Sequence, residues 1–473
     1  MTTQAAMQIP GFQGVLITPD HPEYDDARAV WNGMVDRRPR MIARCRGTAD
    51  AAAAVRFARD RDLEIAVRGG GHNVAGTAVC EDGIVIDLSA MRAVSVDLVD
   101  STALVQGGAL WGDVDHETQV HGLATTGGIV SHTGVGGVSL GGGIGWLMRK
   151  HGLTVDNLLE AELVIASGDI VRASANANPD LFWALRGGGG NFGIVTSFRF
   201  ALHPVGPTVM AGPVFWAAEE TTDVLRFYRD FVADAPDELG TVIRFGTVPP
   251  LPGISNEQHF RPAIAVASCY AGPVEAGEDA VRALRNFGTP LLDLVGPTLY
   301  VDHQSGIDDT VPHGWHYYWK ATSLTGLSDA VIDIIAEHAY GATSPRSYTA
   351  MFHMGGAVAR QPRDATAYPG RDVDHHIVID AAWLPERDDT VGAAEPAWAR
   401  AFLDALEPHR AGVYVNFLDS DDDTSRVREA YGDANYRRLV EVKSAYDPEN
   451  AFRHNKNIQP STRAESAPAP TDP

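Results

Sequence analysis

Residues 65–76 read Ile65-Ala66-Val67-Arg68-Gly69-Gly70-Gly71-His72-Asn73-Val74-Ala75-Gly76, and the architecture of the chain follows from how this stretch is read. Ile65 and Val67 are the alternating β-branched residues of a short strand, which three consecutive glycines stop at once. Without Cβ atoms, Gly69 to Gly71 can turn sharply and aim successive backbone N–H groups at an anion such as a diphosphate. His72 stands at the lip of that turn. Taken alone, Gly-Gly-Gly-His reads first as a tight turn beside a hydrogen-bonded surface histidine. A second glycine region shifts the balance.

That region, Thr125 to Gly145, holds nine glycines in 21 residues. Such density carries a heavy entropic cost if the segment only links two elements, and it predicts backbone lying directly against a ligand. A third turn, Gly187 to Gly193, separates a helix over 179–185 from a strand over 194–200. A large ligand with a diphosphate and a flat ring system accounts for all three turns together. His72 then becomes an attachment point, because an imidazole nitrogen can form a covalent bond.

Around these turns the pattern is mixed. Strands are expected at 41–45, 83–88, 93–98, 103–106 and 162–165, with helices at 49–59, capped by Thr48, and at 111–121, stopped by Gly122. The texture changes after Pro204, and a boundary is placed near 207. Beyond it, three amphipathic helices carry Val224, Tyr228 and Phe231; Val281, Leu284 and Phe287; and Val331, Ile334 and Ile335. Strand-like runs lie between them at 211–216, 263–270, 315–322, 347–354, 377–383 and 412–417. This predicts an antiparallel sheet with helices on one face, and an α+β fold overall. Residues 462–473, rich in Pro and Ala, read as a disordered tail.

Composition narrows the function. The 473 residues suffice for two or three domains. A formal charge of −23 with no basic stripe disfavours a nucleic-acid partner. Cys45, Cys80 and Cys269 form neither a disulfide framework nor a zinc pattern. With no signal peptide and no membrane-length apolar run, a reducing, cytoplasmic setting without a membrane partner is expected.

Several motif matches do not survive their context. Gly188-x-Gly190-x-x-Gly193 fits the dinucleotide fingerprint, but a helix precedes it and a strand follows, the reverse of the order that site needs. Gly137-Val138-Ser139-Leu140-Gly141 lacks the buried strand that precedes a nucleophile elbow. His116 and His121 are one residue too far apart for a zinc-protease helix, and His313 and His316 have no third ligand nearby, so no metal is expected. His375 and His376 point to opposite faces of a strand, so at most one faces any site.

Longer motifs carry a resemblance. Arg68-Gly69-Gly70-Gly71-His72-Asn73, Gly134-Val135-Gly136-Gly137, Arg149 to Asn157, Asp180 to Gly193 and Tyr446 to Asn455 occur in the order and form found in the berberine bridge enzyme branch of the vanillyl alcohol oxidase superfamily. The resemblance spans about residues 38 to 460. It implies a two-part FAD-binding domain of the vanillyl alcohol oxidase type, residues 1–207 plus a returning segment 426–461, around a substrate-binding domain 208–425. It also implies FAD joined through its 8α carbon to His72. A second bond, from cysteine, is not expected because Val130 stands at that position.

By the same resemblance, the cofactor is held by Arg68, Gly69, Gly70, Gly71, His72, Asn73 and Gly76; by Thr126, Gly127, Gly128, Thr133, Gly134, Gly136, Gly137, Gly141, Gly142 and Gly143; and by Asn157, Gly193, Val195, Asn455 and Asn457. The implied reaction is hydride transfer from a small organic substrate to flavin N5, with O2 reoxidising the flavin to release H2O2. Relatives carry a tyrosine base in Tyr-x-Asn-Tyr, but this chain reads Tyr414-Val415-Asn416-Phe417, and Phe417 cannot take a proton. A glutamate of plant relatives, seven residues before a tryptophan, corresponds to His376. His376 is therefore the expected base, with Tyr414 and Asn416 shaping the pocket; the alternative is that His376 only hydrogen-bonds in the cleft. Trp315, Tyr317, Tyr318 and Phe352 favour a flat or partly apolar substrate. A dehydrogenase with another acceptor, or a non-catalytic binder of an aromatic compound, stays open at this stage, as does the oligomeric state.

Overall fold

The strand Ile65–Arg68 forms as its β-branched pattern dictates, at the edge of a four-stranded sheet. It runs parallel to Ile84–Asp87, which runs parallel to Met41–Arg44, and Val15–Ile17 closes the far edge antiparallel. The helix Thr48–Arg59 packs Ala51, Ala54, Val55 and Ala58 on this sheet. Thr48 does not cap it. Its hydroxyl donates instead to Glu162 Oε1 at 3.0 Å, and Gly47 occupies the cap position. The computed structural model describes residues 8–250, 254–385 and 389–461; the tail expected at 462–473 lies outside them.

A second sheet of five antiparallel strands has the order Val94–Asp97, Thr102–Gln106, Ile194–Ala201, Leu158–Val164, Ile170–Ser174. The third glycine turn feeds its central strand, Ile194–Ala201. The second glycine region meets the first turn where Gly134 lies against Gly70.

The third sheet has eight antiparallel strands. Its main path runs Leu292–Asp293, Thr208–Ala217, Pro262–Tyr270, Leu239–Thr247, Tyr348–His353, His375–Trp383, His316–Leu324, with Gly296–Leu299 paired beside Thr208–Ala217. Alternation along each strand sorts its side chains onto two faces. Ile243, Ile264, Val266, Met351, Ile377 and Ile379 pack under helices Thr221–Ala233, Val274–Arg285, Asp329–His338 and Asp389–Leu406, in one apolar cluster. The opposite face meets only the short helices Tyr300–Ser305 and Met148–His151 near one end, among the described residues, and otherwise looks onto the glycine turns. This is the α+β arrangement expected from the sequence.

Three differences have local causes. Leu239–Thr247 is a full interior strand that the sequence reading passes over, because Gly240, Arg244 and Gly246 break its apolar alternation. The strand expected at 412–417 is absent; Val415–Phe417 forms a single 3-10 turn. Val135–Gly141 is helical despite three glycines, since buried Val135 and Leu140 anchor it in the core.

Candidate functional site

A cavity of about 400 Å³ opens between the glycine turns and the inner face of the third sheet, within the size range of small-molecule and cofactor sites. Gly69, Gly70, Gly71, His72 and Asn73 line it from the first sheet. Here the missing Cβ is used for close approach. An added Cβ on Gly70 would stand 2.5 Å from both Cα and N of Gly134, so the first two glycine regions touch backbone to backbone. Asn73 fixes the exit of the turn by accepting from the Ala75 N–H at 3.1 Å. Arg68 faces away: its guanidinium donates to the carbonyls of Ala27 and Ala29 and braces the loop from behind.

His72 is clamped by rings. Trp31 stacks on it with centroids 4.4 Å apart and planes 15° from parallel, and Tyr317 stacks on the far side of Trp31 at 3.7 Å. Trp31 is fixed in turn by donating to the Val311 carbonyl at 2.9 Å. His132 lies 5.0 Å from His72 and His313 6.2 Å. Burial, with those two imidazoles as neighbours, pushes the His72 pKa well below its ordinary value, so the ring is neutral at pH 7. Its Nε2 has no hydrogen-bond partner. A neutral imidazole keeps one nitrogen lone pair free, the electronic state a nucleophilic attachment point requires.

The second glycine region divides in two. Gly128, Thr133, Gly134, Gly136 and Gly137 line the cavity, but Thr126, Gly127, Gly141, Gly142 and Gly143 do not. Cβ atoms on the latter glycines would meet Trp111, Asn416, Tyr368 and Thr154 respectively, and the Thr126 hydroxyl donates to the Gly152 carbonyl at 2.7 Å. These positions admit neighbouring side chains rather than a ligand, which corrects the expectation that the whole segment lies against one. Gly76 likewise faces Val35, and the Asn157 amide donates to the carbonyls of His151 and Leu153 at 3.0 and 2.8 Å. From the third turn and the chain's end, Gly189, Gly190, Asn191, Gly193, Val195 and Asn455 reach the wall; Asn457 does not.

On the sheet side, cross-strand partners share a face, and the pairs Val242–Phe352, Arg244–Ala350, Ala350–Val378, Tyr348–Asp380 and Trp319–Asp380 set which side chains look at the cavity. Phe352 does line it, as expected of a substrate-facing aromatic. Trp315 and Tyr317 serve the Trp31 stack instead. Tyr318 points to the opposite face, where its hydroxyl donates to Asp421 Oδ2 at 2.7 Å.

The three catalytic candidates are unequal. Tyr414 and Asn416 line the cavity. The Tyr414 oxygen accepts from the Gly143 N–H and from Asn416 Nδ2, each at 2.8 Å, which leaves its own O–H free to donate. Burial pushes its pKa up to about 12, so it stays a neutral phenol. Phe417 stands beside it, rings 4.9 Å apart. His376 does not line this cavity. It borders a separate one of about 180 Å³ with Tyr368 and Tyr414, and both ring nitrogens are engaged, Nδ1 with Ser323 Oγ at 2.8 Å and Nε2 with the Tyr368 hydroxyl at 2.7 Å. Burial first, and His375 second, push its pKa down to about 3. This geometry is that of a hydrogen-bonded cleft histidine and does not fit the base role expected of His376.

Sequence reading missed a polar group on the same sheet face. Arg244 and Tyr348 line the cavity, and fully buried Asp380 stands directly behind, paired in register with both Tyr348 and Trp319. The Tyr348 hydroxyl and the Trp319 indole N–H are the hydrogen-bonding groups that face its carboxyl. Burial pushes the Asp380 pKa up to about 7. The available signal was an ionisable residue inside an apolar alternation, in Val242-Ile243-Arg244-Phe245 and in Ile377-Val378-Ile379-Asp380.

Comparison with known proteins agrees with this geometry. Residues 39–174 match the family model described as FAD binding domain, and residues 413–459 match the model described as berberine and berberine like. An FAD-linked oxidoreductase of Dictyostelium discoideum is 32% identical over 455 residues, covering 95% of each chain. The (R)-6-hydroxynicotine oxidase of Paenarthrobacter nicotinovorans is 31% identical over 467 residues, 95% of this chain and 97% of that one. The solved structure of 6-hydroxy-D-nicotine oxidase from Arthrobacter nicotinovorans superposes with a TM-score of 0.86 at 30% identity, covering 96% of this chain and all of its own.

Proposed function

The chain belongs to the berberine bridge enzyme-like FAD-linked oxidoreductases, and on that premise we propose that it is an oxidase of a small organic molecule, with FAD bonded to His72. The observation that carries the reading is the neutral, clamped imidazole of His72, with an unpartnered Nε2, at the wall of a cavity framed by three glycine turns. The residues present fit the cofactor. Gly137 and Gly190 line the cavity with nothing within 4 Å of where a Cβ would stand, so their backbone is open to a ligand. The buried Asn455 Oδ1 has no partner within the protein.

Bound there, FAD supplies a two-electron acceptor for hydride from a substrate C–H, with O2 taking the electrons on as H2O2. The chain's own part is to hold and orient. His72 tethers. The Tyr414 hydroxyl and the Asn416 amide, tied to each other and to Gly143 and Gly137, present hydrogen-bonding groups at one wall. Val130 lines the cavity, and no cysteine does among the described residues, which supports a single tether. The division at 207 and 425 is part of the same reading. It is supported by Lys443, whose buried ammonium donates to the Asn191 and Phe452 carbonyls at 2.8 and 2.9 Å and so ties the C-terminal segment to the third glycine turn.

The test is chemical. Purified protein is precipitated in acid and the pellet examined for retained yellow colour, and turnover in air is coupled to a peroxidase. A colourless pellet ends the covalent reading; substrate oxidation without H2O2 ends the oxidase reading and leaves a dehydrogenase.

A further inference from the structure

The cavity-facing rows of the third sheet are apolar through Val242, Ala267, Ala350, Phe352 and Val378, and then change character at one end. Arg244 projects there with its guanidinium over the Tyr348 ring, 4.5 Å from the centroid, and Nη1 donates to the Thr247 carbonyl at 2.7 Å. No carboxylate forms an ion pair with it among the described residues. Asp380, one row along on the same face, acts on it only through space and faces Tyr317, Trp319, Tyr348 and Asp419 as well. Desolvation lowers the Arg244 pKa by more than nearby Tyr348 and Asp380 raise it, as for a buried cation without a direct ion pair. The other side-chain cation of the wall, Lys456, lies beside the third glycine turn, donates to the Asp419 carbonyl at 2.6 Å and has the Asp419 and Asp422 carboxylates near it. Arg244 has a ring face and a carbonyl against it but no carboxylate in direct contact among the described residues.

We infer that the substrate carries a carboxylate on a flat, apolar body, the carboxylate received by Arg244 and the body lying against Phe352, Trp319 and Phe417. The planar guanidinium fork matches a carboxylate in two parallel hydrogen bonds, which a neutral isostere cannot reproduce. Asp380 tunes this anchor. Neutral, it leaves the guanidinium free; ionised, it competes for Arg244 and repels the incoming anion. The inference rests on the large cavity being the place where cofactor and substrate meet.

Benzoate and its neutral isostere benzamide are titrated calorimetrically into the holoprotein. At pH 6, benzoate binds about tenfold to a hundredfold more tightly than benzamide, the range a charge-assisted pair supplies. Arg244→Gln abolishes the preference and Arg244→Lys keeps part of it. Raising the pH from 6 to 9 weakens benzoate but not benzamide, and Asp380→Asn removes that dependence. Equal affinities for the two probes in the wild type overturn the inference, as does a preference that Arg244→Gln leaves intact. If Arg244→Gln fails to fold, the wild-type comparison and its pH dependence decide. Colour retained in the acid pellet of the same sample keeps the two readings separate: a yellow protein without benzoate preference overturns the anchor alone, and a colourless protein that keeps the preference overturns the flavin alone.

Discussion

Two glycine-to-alanine substitutions, identical in chemistry, are predicted to act in opposite directions. At position 70 the added methyl carbon stands 2.5 Å from both Cα and N of Gly134 and 3.1 Å from Leu110 Cδ2. Carbon atoms rest about 3.5 Å apart, so the first two glycine regions must part by about 1 Å, and because both atoms of Gly134 are backbone no rotamer relieves the clash. Overpacking of this kind costs about 1–3 kcal/mol. At position 137 nothing lies within 4 Å of the new methyl, and the residue sits inside the helix Val135–Gly141, where alanine is favoured over glycine by roughly 0.5–1 kcal/mol. Gly137 also lines the cavity, so its methyl enters the space assigned to the cofactor. Gly70→Ala therefore lowers the melting temperature and the flavin content together. Gly137→Ala leaves the melting temperature of the flavin-free protein unchanged or raised, and lowers flavin content only. Thermal melts of flavin-free protein and in-gel flavin fluorescence after denaturation read the two effects separately. Equal loss of stability in both variants, or none at position 70, refutes the reasoning.

The remaining predictions follow from buried polar groups. Arg371 and Asp156, both nearly fully buried, make two parallel hydrogen bonds at 2.7 Å; Arg371→Met leaves the buried carboxylate without its counter-ion, the Leu153 N–H at 2.9 Å still donating to it, and costs about 3–5 kcal/mol in denaturant unfolding, and a loss below about 1 kcal/mol contradicts it. His376→Gln keeps substrate oxidation within about tenfold of wild type, since a true general base supplies about 10²–10⁴; a thousandfold fall in kcat restores His376 as the base. The same variant alters acid stability. With its pKa pushed from 6.5 down to about 3, His376 contributes stability that is complete above about pH 6.5 and lost as pH falls toward 3, because only the unfolded chain takes up the proton in that window. The acid limb of stability against pH becomes shallower by about 1.4 kcal/mol per pH unit on removal, and an unchanged limb rules this out.

Much of the fold was written in local pattern. Ile65 and Val67 before three glycines gave the strand and its turn, and the helices built on Val224, Val281 and Val331 formed where their spacing placed them. Leu239–Thr247 escaped because a strand with one face toward a cavity need not alternate cleanly; Arg244 stands where a core residue would. Glycine density was ambiguous in a different way. A missing side chain makes room for a ligand at Gly137 and for Trp111 at Gly127, and only the tertiary partner distinguishes the two. Likewise, strand parity put His376 on the cavity-facing side of the sheet, but its displacement into a second cavity follows from Ser323 and Tyr368, which lie 53 and 8 residues away. Asp380 was concealed by length: one acid in an apolar strand of nine residues reads as an interruption until its neighbours are known.

The measurement that tests the account most directly is mass spectrometry of the proteolytic peptide containing Arg68 to Val74, taken from yellow holoprotein after acid precipitation. Flavin is expected on the His72 imidazole, and its complete loss, with the chain still folded, in His72→Ala. An unmodified His72 in protein that retains its colour through acid contradicts it.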